Sequence, residues 1–138
     1  MTRTSSPKIV PDDFWRGQLT NAVSFHTAAR TLLDLHEAGQ NTNPIIVQVV
    51  DAAIAYADAV TARYGNRVNQ QDHQALGSLL RAVLGNRLPA PQLTNLRTIL
   101  SERDAASYGI RVGTYDQALR LFERLEAFAA WAQAELAR

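Results

Sequence analysis

The sequence contains no cysteine among its 138 residues. That excludes disulfides, a thiolate nucleophile and any cysteine-ligated metal, and it suits a reducing cytoplasm. Lysine is nearly absent too, since thirteen of the fourteen basic residues are arginine. Arginine forks suit phosphate, although so uniform a choice also follows from genome composition. No long hydrophobic run is uninterrupted: the most apolar stretch, residues 45–60, is broken by Gln48, Asp51 and Asp58 and reads as a core helix, not a bilayer span. The opening MTRTSSPKIV lacks the apolar run of a signal sequence, so none is expected. With 46% apolar and 20% charged residues, the chain has the composition of one globular domain able to bury a core.

The net charge of +1 is unevenly spread. Residues 63–111 carry seven arginines against Asp72, Glu102 and Asp104, a net +4, while the first 62 residues sum to −2 and the last 27 to −1. A basic middle could meet a polyanion, but +4 is mild beside a dedicated nucleic-acid binder.

Hydrophobic periodicity predicts an all-α, up-and-down bundle of five helices, with residues 1–11 as a flexible tail and 12–138 as a single domain. Asp12 or Asp13 caps a first helix running to about residue 38, with Gly39 after it. Asn43 caps and Pro44 opens a second helix to Tyr64, closed by Gly65 in the left-handed conformation. Asn69 caps a third helix over 70–84, followed by Gly85 and a loop holding Pro89 and Pro91. A fourth helix extends to about Tyr108 and stops at Gly109. Thr114 and Gln117 form a capping box for a fifth helix that reaches the C-terminus. Trp15 and Trp131 are expected where the first and last helices meet; an apolar dimer surface drawn partly from helices two and three is the alternative use for large residues. No alternating strand pattern and no fixed-period repeat stands out.

The segment with the most chemical potential is 64–73, YGNRVNQQDH. If Asn69 is the cap, Asp72 and His73 fall in the first helical turn, near its unpaired N–H groups and positive dipole end. An arginine fork at Arg67, a helix N-terminus and the His73 imidazole could together hold a phosphate and move a proton beside it. The dipole would help keep His73 neutral and able to act as a base. By spacing alone the same residues also read as a well-capped loop: Asn66 and Arg67 solvate it, Asp72 completes a capping box, and His73 is an ordinary first-turn residue.

Arg67 and His73 have five residues between them. A small-residue helix, DAAIAYADAV over 51–60, precedes them, and LRTILSERDAASYG over 96–109 leads to a last Ala-rich amphipathic helix. In this order of elements, over roughly residues 14–135, the chain resembles the HEPN superfamily of small, often bacterial, all-helical proteins, whose hallmark is an arginine, four to six residues, then a histidine. The resemblance implies a metal-independent RNA endonuclease without cofactor, often the toxin of a toxin–antitoxin pair. It implies a homodimer in which the motifs of both subunits meet, RNA as substrate, and a nucleotidyltransferase-like antitoxin as a possible partner. His73 would then be general acid or base on a ribose 2′-hydroxyl or the leaving oxygen, and Arg67 would bind the scissile phosphate. Asp58 is the candidate acidic partner from helix two, with Arg63, Asn66, Asn69 and Asp72 in supporting positions. The alternative function is a catalytically inactive HEPN-like module that binds RNA, a nucleotide or a partner protein; a third reading is a bundle that only oligomerises.

Other residues offer less. Arg63 near a helix end is stabilised there by the dipole, so a second phosphate contact is the lesser reading. His26 and His36 lie ten apart without carboxylates at ligand spacing, so no metal is expected. GIRVG over 109–113 precedes a helix but lacks the Lys-Ser/Thr ending of a phosphate loop.

Overall fold

A computed structural model describes residues 6–70, 72–107 and 113–138. Six helical segments make the bundle: α1 (Phe14–Asp34), α2 (Asn43–Gly65), α3 (Ala75–Leu84), α4 (Ala90–Ser101), α5 (Arg103–Ser107) and α6 (Tyr115–Leu136). The fourth helix expected from periodicity is α4 plus α5, broken at Glu102. There the Glu102 N–H bonds back three residues to Ile99 O (3.1 Å), while its own carbonyl accepts Ala106 N–H (3.2 Å). The expected stop at Tyr108 and Gly109, and the glycine loop to Val112, lie outside the described residues.

The architecture is an all-α bundle built around α2, which touches every other helix. Its buried residues recur on all sides, from Ile45 and Ile46 through Ala52, Ala53, Ala55 and Tyr56 to Ala62, as a fully enclosed helix requires. Alanine on α2 and Ala22 and Ala29 on α1 allow the two rods to pack closely. By length and composition α2 could cross a bilayer, yet 72% of its most apolar window is buried within the bundle, which makes it the core helix.

The expected tail is tied down in part. β1 (Lys8–Ile9) pairs antiparallel with β2 (Arg67–Val68), and Val10 N–H adds a bond to Asn66 O at 2.9 Å. Two residues carry no readable alternation, so no strand was evident from sequence. Val10 is 5% exposed and packs with Ala62 and Val68, beside the half-buried Phe14 and Trp15. Burying a valine of this kind stabilises by about 1.5–3 kcal/mol, more than so short a ladder offers alone.

Helix boundaries shift where side chains compete with the backbone. α1 ends at Asp34 instead of near residue 38, because Gln40 Oε1 accepts Glu37 N–H (2.8 Å) and His36 stacks on Tyr115 with ring centroids 5.0 Å apart. Thr42, not Asn43, is the cap residue of α2. The left-handed residue that closes α2 is Asn66 (φ 51°), not Gly65. Gly65 serves a different purpose: a Cβ there would lie 2.8 Å from Val83 Cγ2, so its bareness lets α3 approach. At the other end of the chain, the capping box of Thr114 and Gln117 forms with both of its hydrogen bonds.

Trp15 sits against the N-terminal cluster with Arg63 stacked over its ring (4.6 Å), and Trp131 tilts against Phe128 (5.5 Å). Gly65→Ala should destabilise the fold by about 1–3 kcal/mol, the usual cost of overpacking. Adding Val83→Ala should restore part of that loss in a chemical denaturation series; a neutral Gly65→Ala would contradict the close α2–α3 approach.

Candidate functional site

Asp51, Asp58 and Gly65 are spaced by seven residues, two helical turns, and so lie along one face of α2. The chain leaves α2 at Gly65 and runs back beside that face as an extended connector before α3 begins. It is held there by the β1–β2 pair, by Asn66 Nδ2 donating to Asp12 Oδ1 (2.6 Å), and by Gln70 Nε2 donating to Ser6 O (2.9 Å). Because the segment is extended, α3 starts at Ala75, five residues later than capping by Asn69 would allow.

Asp72 shapes the turn into α3. Its Oδ1 accepts Gln74 N–H (3.1 Å), and its carbonyl accepts both Ala75 N–H (2.9 Å) and Asn69 Nδ2 (3.2 Å). His73 O accepts Leu76 N–H at 3.0 Å. His73 therefore sits in the turn just before the helix and not inside its first turn.

This turn places His73 opposite Asp51 of α2 and Arg103 of α5. Burial pushes the His73 pKa below its ordinary 6.5, and the Arg103 guanidinium pushes it the same way, while Asp72, Asp51 and Asp104 pull it up. Burial raises the Asp51 carboxyl above its ordinary 3.8, offset by Arg103 and His73. Arg103 in turn pairs with Asp104 (3.4 Å). The result is an imidazole held neutral near pH 7, a carboxylate beside it, and a cation able to meet an anion. Asp51 and Arg103 were not singled out from sequence as functional. The only local signals were an acid in the most apolar helix and an arginine in the charged run 102–104.

Arg67 is not brought to His73. It packs at the far end of the connector, where a Cβ on Gly65 would lie 3.4 Å from its Nε, and that Nε is buried without a hydrogen-bond partner. The fourteen residues from Asp51 to Gly65 separate the two ends by about 21 Å of helix. Arg63 is also structural: its guanidinium donates to Leu136 O and to Arg138 O (2.7 Å), pinning the last residues to α2. Asn66 closes α2, and Asn69 and Asp72 build the turn. His26 is engaged elsewhere: Nδ1 shares a proton with Tyr56 OH (2.9 Å), and Nε2 lies 3.3 Å from Glu126 Oε2 without the alignment of a hydrogen bond.

Asp58 lies midway along the same face of α2. Its Oδ1 is sealed from solvent and has no hydrogen-bond partner, and burial pushes the carboxyl up to about 7. It therefore acts as a largely uncharged core acid and not as the partner of Arg67. No family model matches the chain, and no curated protein matches it in sequence.

Two measurements check this picture. In an NMR titration His73 should have its midpoint below 6.5, raised by Arg103→Gln and lowered further by Asp51→Asn. A midpoint that ignores both substitutions would contradict the placement. For Asp58, the folded chain keeps a proton that the unfolded chain releases between about 3.8 and about 7, so stability falls as pH rises through that window. The ceiling of this loss is roughly 4 kcal/mol. Asp58→Asn keeps the shape and removes the titration, so its advantage in Tm should grow between about pH 5 and about pH 8.

Proposed function

We propose that the chain is a metal-independent RNA endonuclease of the HEPN-like kind, working as a homodimer in the cytoplasm, with His73 as the proton-transfer group. The observation that carries this reading is the convergence of a half-buried, neutral His73 with Asp51 and Arg103. The His73 imidazole takes the proton of a ribose 2′-hydroxyl, whose oxygen attacks the adjacent phosphorus. The bond to the 5′-oxygen breaks, and the imidazolium returns the proton to that oxygen, leaving a 2′,3′-cyclic phosphate and a free 5′-hydroxyl. Asp51 stabilises the transient imidazolium, and Arg103 stabilises charge on the phosphoryl oxygens. Arg103 thus takes the phosphate role that the motif spacing suggested for Arg67. A toxin–antitoxin setting, with a nucleotidyltransferase-like antitoxin, accords with the same resemblance.

The separation of Arg67 from His73 favours a second reading, a catalytically silent module of the same kind that binds RNA, a nucleotide or a partner protein. One assay distinguishes them. Wild type should cleave RNA in the presence of a chelator, and His73→Ala should lose about 10²–10⁴-fold in rate, the usual worth of a positioned acid–base group. Arg103→Gln should fall as well, and the wild-type rate should rise with pH through a midpoint below 6.5, because the base must be neutral. Cleavage that survives His73→Ala, or none across varied RNAs, sinks the ribonuclease proposal.

A further inference from the structure

We infer that a cavity between the first turn of α2, the α4–α5 break and the first half of α6 binds a free α-amino acid with an aliphatic side chain. The cavity encloses about 190 Å³, room for a small molecule. On its α2 wall stands Asn43, which is only 6% exposed and whose Oδ1 is buried without any hydrogen-bond partner. The sequence marks Asn43 as a helix cap, but Thr42 does that work. Ile45 and Ile46 N–H both donate to Thr42 O (3.0 and 3.3 Å), and Asn43's own N–H goes to Asn41 Oδ1 (3.0 Å). The Asn43 amide oxygen is left over, and a sealed acceptor without a donor costs the empty protein free energy that a ligand N–H would recover.

The opposite wall is cationic. Arg120 and Arg124 stand one turn apart on α6, and Arg124 is steadied by donating through Nη1 to Asn95 Oδ1 (3.0 Å). Ile46 and Leu121 supply an apolar floor between the two walls. An acceptor on one side, a guanidinium fork on the other and an apolar floor match the three parts of an aliphatic amino acid. Its ammonium donates to Asn43 Oδ1, on the wall that also carries the Glu102 carboxylate. The ligand carboxylate takes the Arg124 fork, and the side chain rests on Ile46 and Leu121.

The inference stands independently of the ribonuclease reading. It is tested by isothermal titration calorimetry of the full chain with L-leucine as probe, beside leucinamide, which lacks the carboxylate, and 4-methyl-2-oxopentanoate, which lacks the ammonium. L-leucine should bind, and both analogues should bind at least about tenfold more weakly. Arg124→Gln and Asn43→Ala should each weaken L-leucine by at least about tenfold. Should Asn43→Ala fail to fold, the analogues and the surface substitution Arg124→Gln decide alone. No heat from L-leucine at millimolar concentration, equal binding of either analogue, or unchanged binding in Arg124→Gln overturns the inference.

Discussion

The enclosure of α2 on every side is the constraint on which the rest of the molecule depends. A helix surrounded by other helices cannot leave a polar side chain to solvent, so each one on it must be answered locally. The face carrying Asp51, Asp58 and Gly65 meets this demand in three ways. At one end Asp51 keeps charged company in His73 and Arg103. In the middle Asp58 has no such company and stays largely protonated. At the other end the side chain is dispensed with altogether, and Val83 fills the space.

The connector from α2 to α3 converts that face into a candidate site. A tight turn would have sent α3 back antiparallel to α2 and placed Arg67 and His73 within one loop. Instead the chain runs extended alongside α2, and α3 then points the same way as α2, with His73 beside Asp51 and Val83 beside Gly65. The two-residue strand pair could not enforce this unaided. It is supported by the burial of Val10 and Val68 and by hydrogen bonds that fix Asn66 and Gln70 to the N-terminal segment.

Much of the fold was legible because it is written in local patterns. The apolar spacing on α2 and α6, Gly85 after α3 and the Thr114–Gln117 box all act within a few residues of one another. What was not legible is tertiary. Gly65 and Asn66 are both good left-handed residues, and only the approach of Val83 decides between them. Asn69 is a reasonable cap in isolation, but the pairing of Arg67 and Val68 with residues far earlier in the chain delays the helix. Asp51 meets partners twenty-two and fifty-two residues away in sequence, at distances where no spacing rule applies. His73 was found from a local motif; its actual neighbours could not be.

The last turn of α2 gathers both ends of the chain. Val10 docks on Asn66 from one side, while Arg63 and Tyr64 hold the carbonyls of Leu136, Arg138 and Glu135 from the other. Arg87 adds a bridge to Glu135 at 2.7 Å. A chain whose beginning and end converge on one anchor is topologically almost a ring. Its order of helices is then not essential to its shape: a short linker could close the ring there and new ends could be opened in the exposed 37–41 loop, leaving α2 enclosed as before.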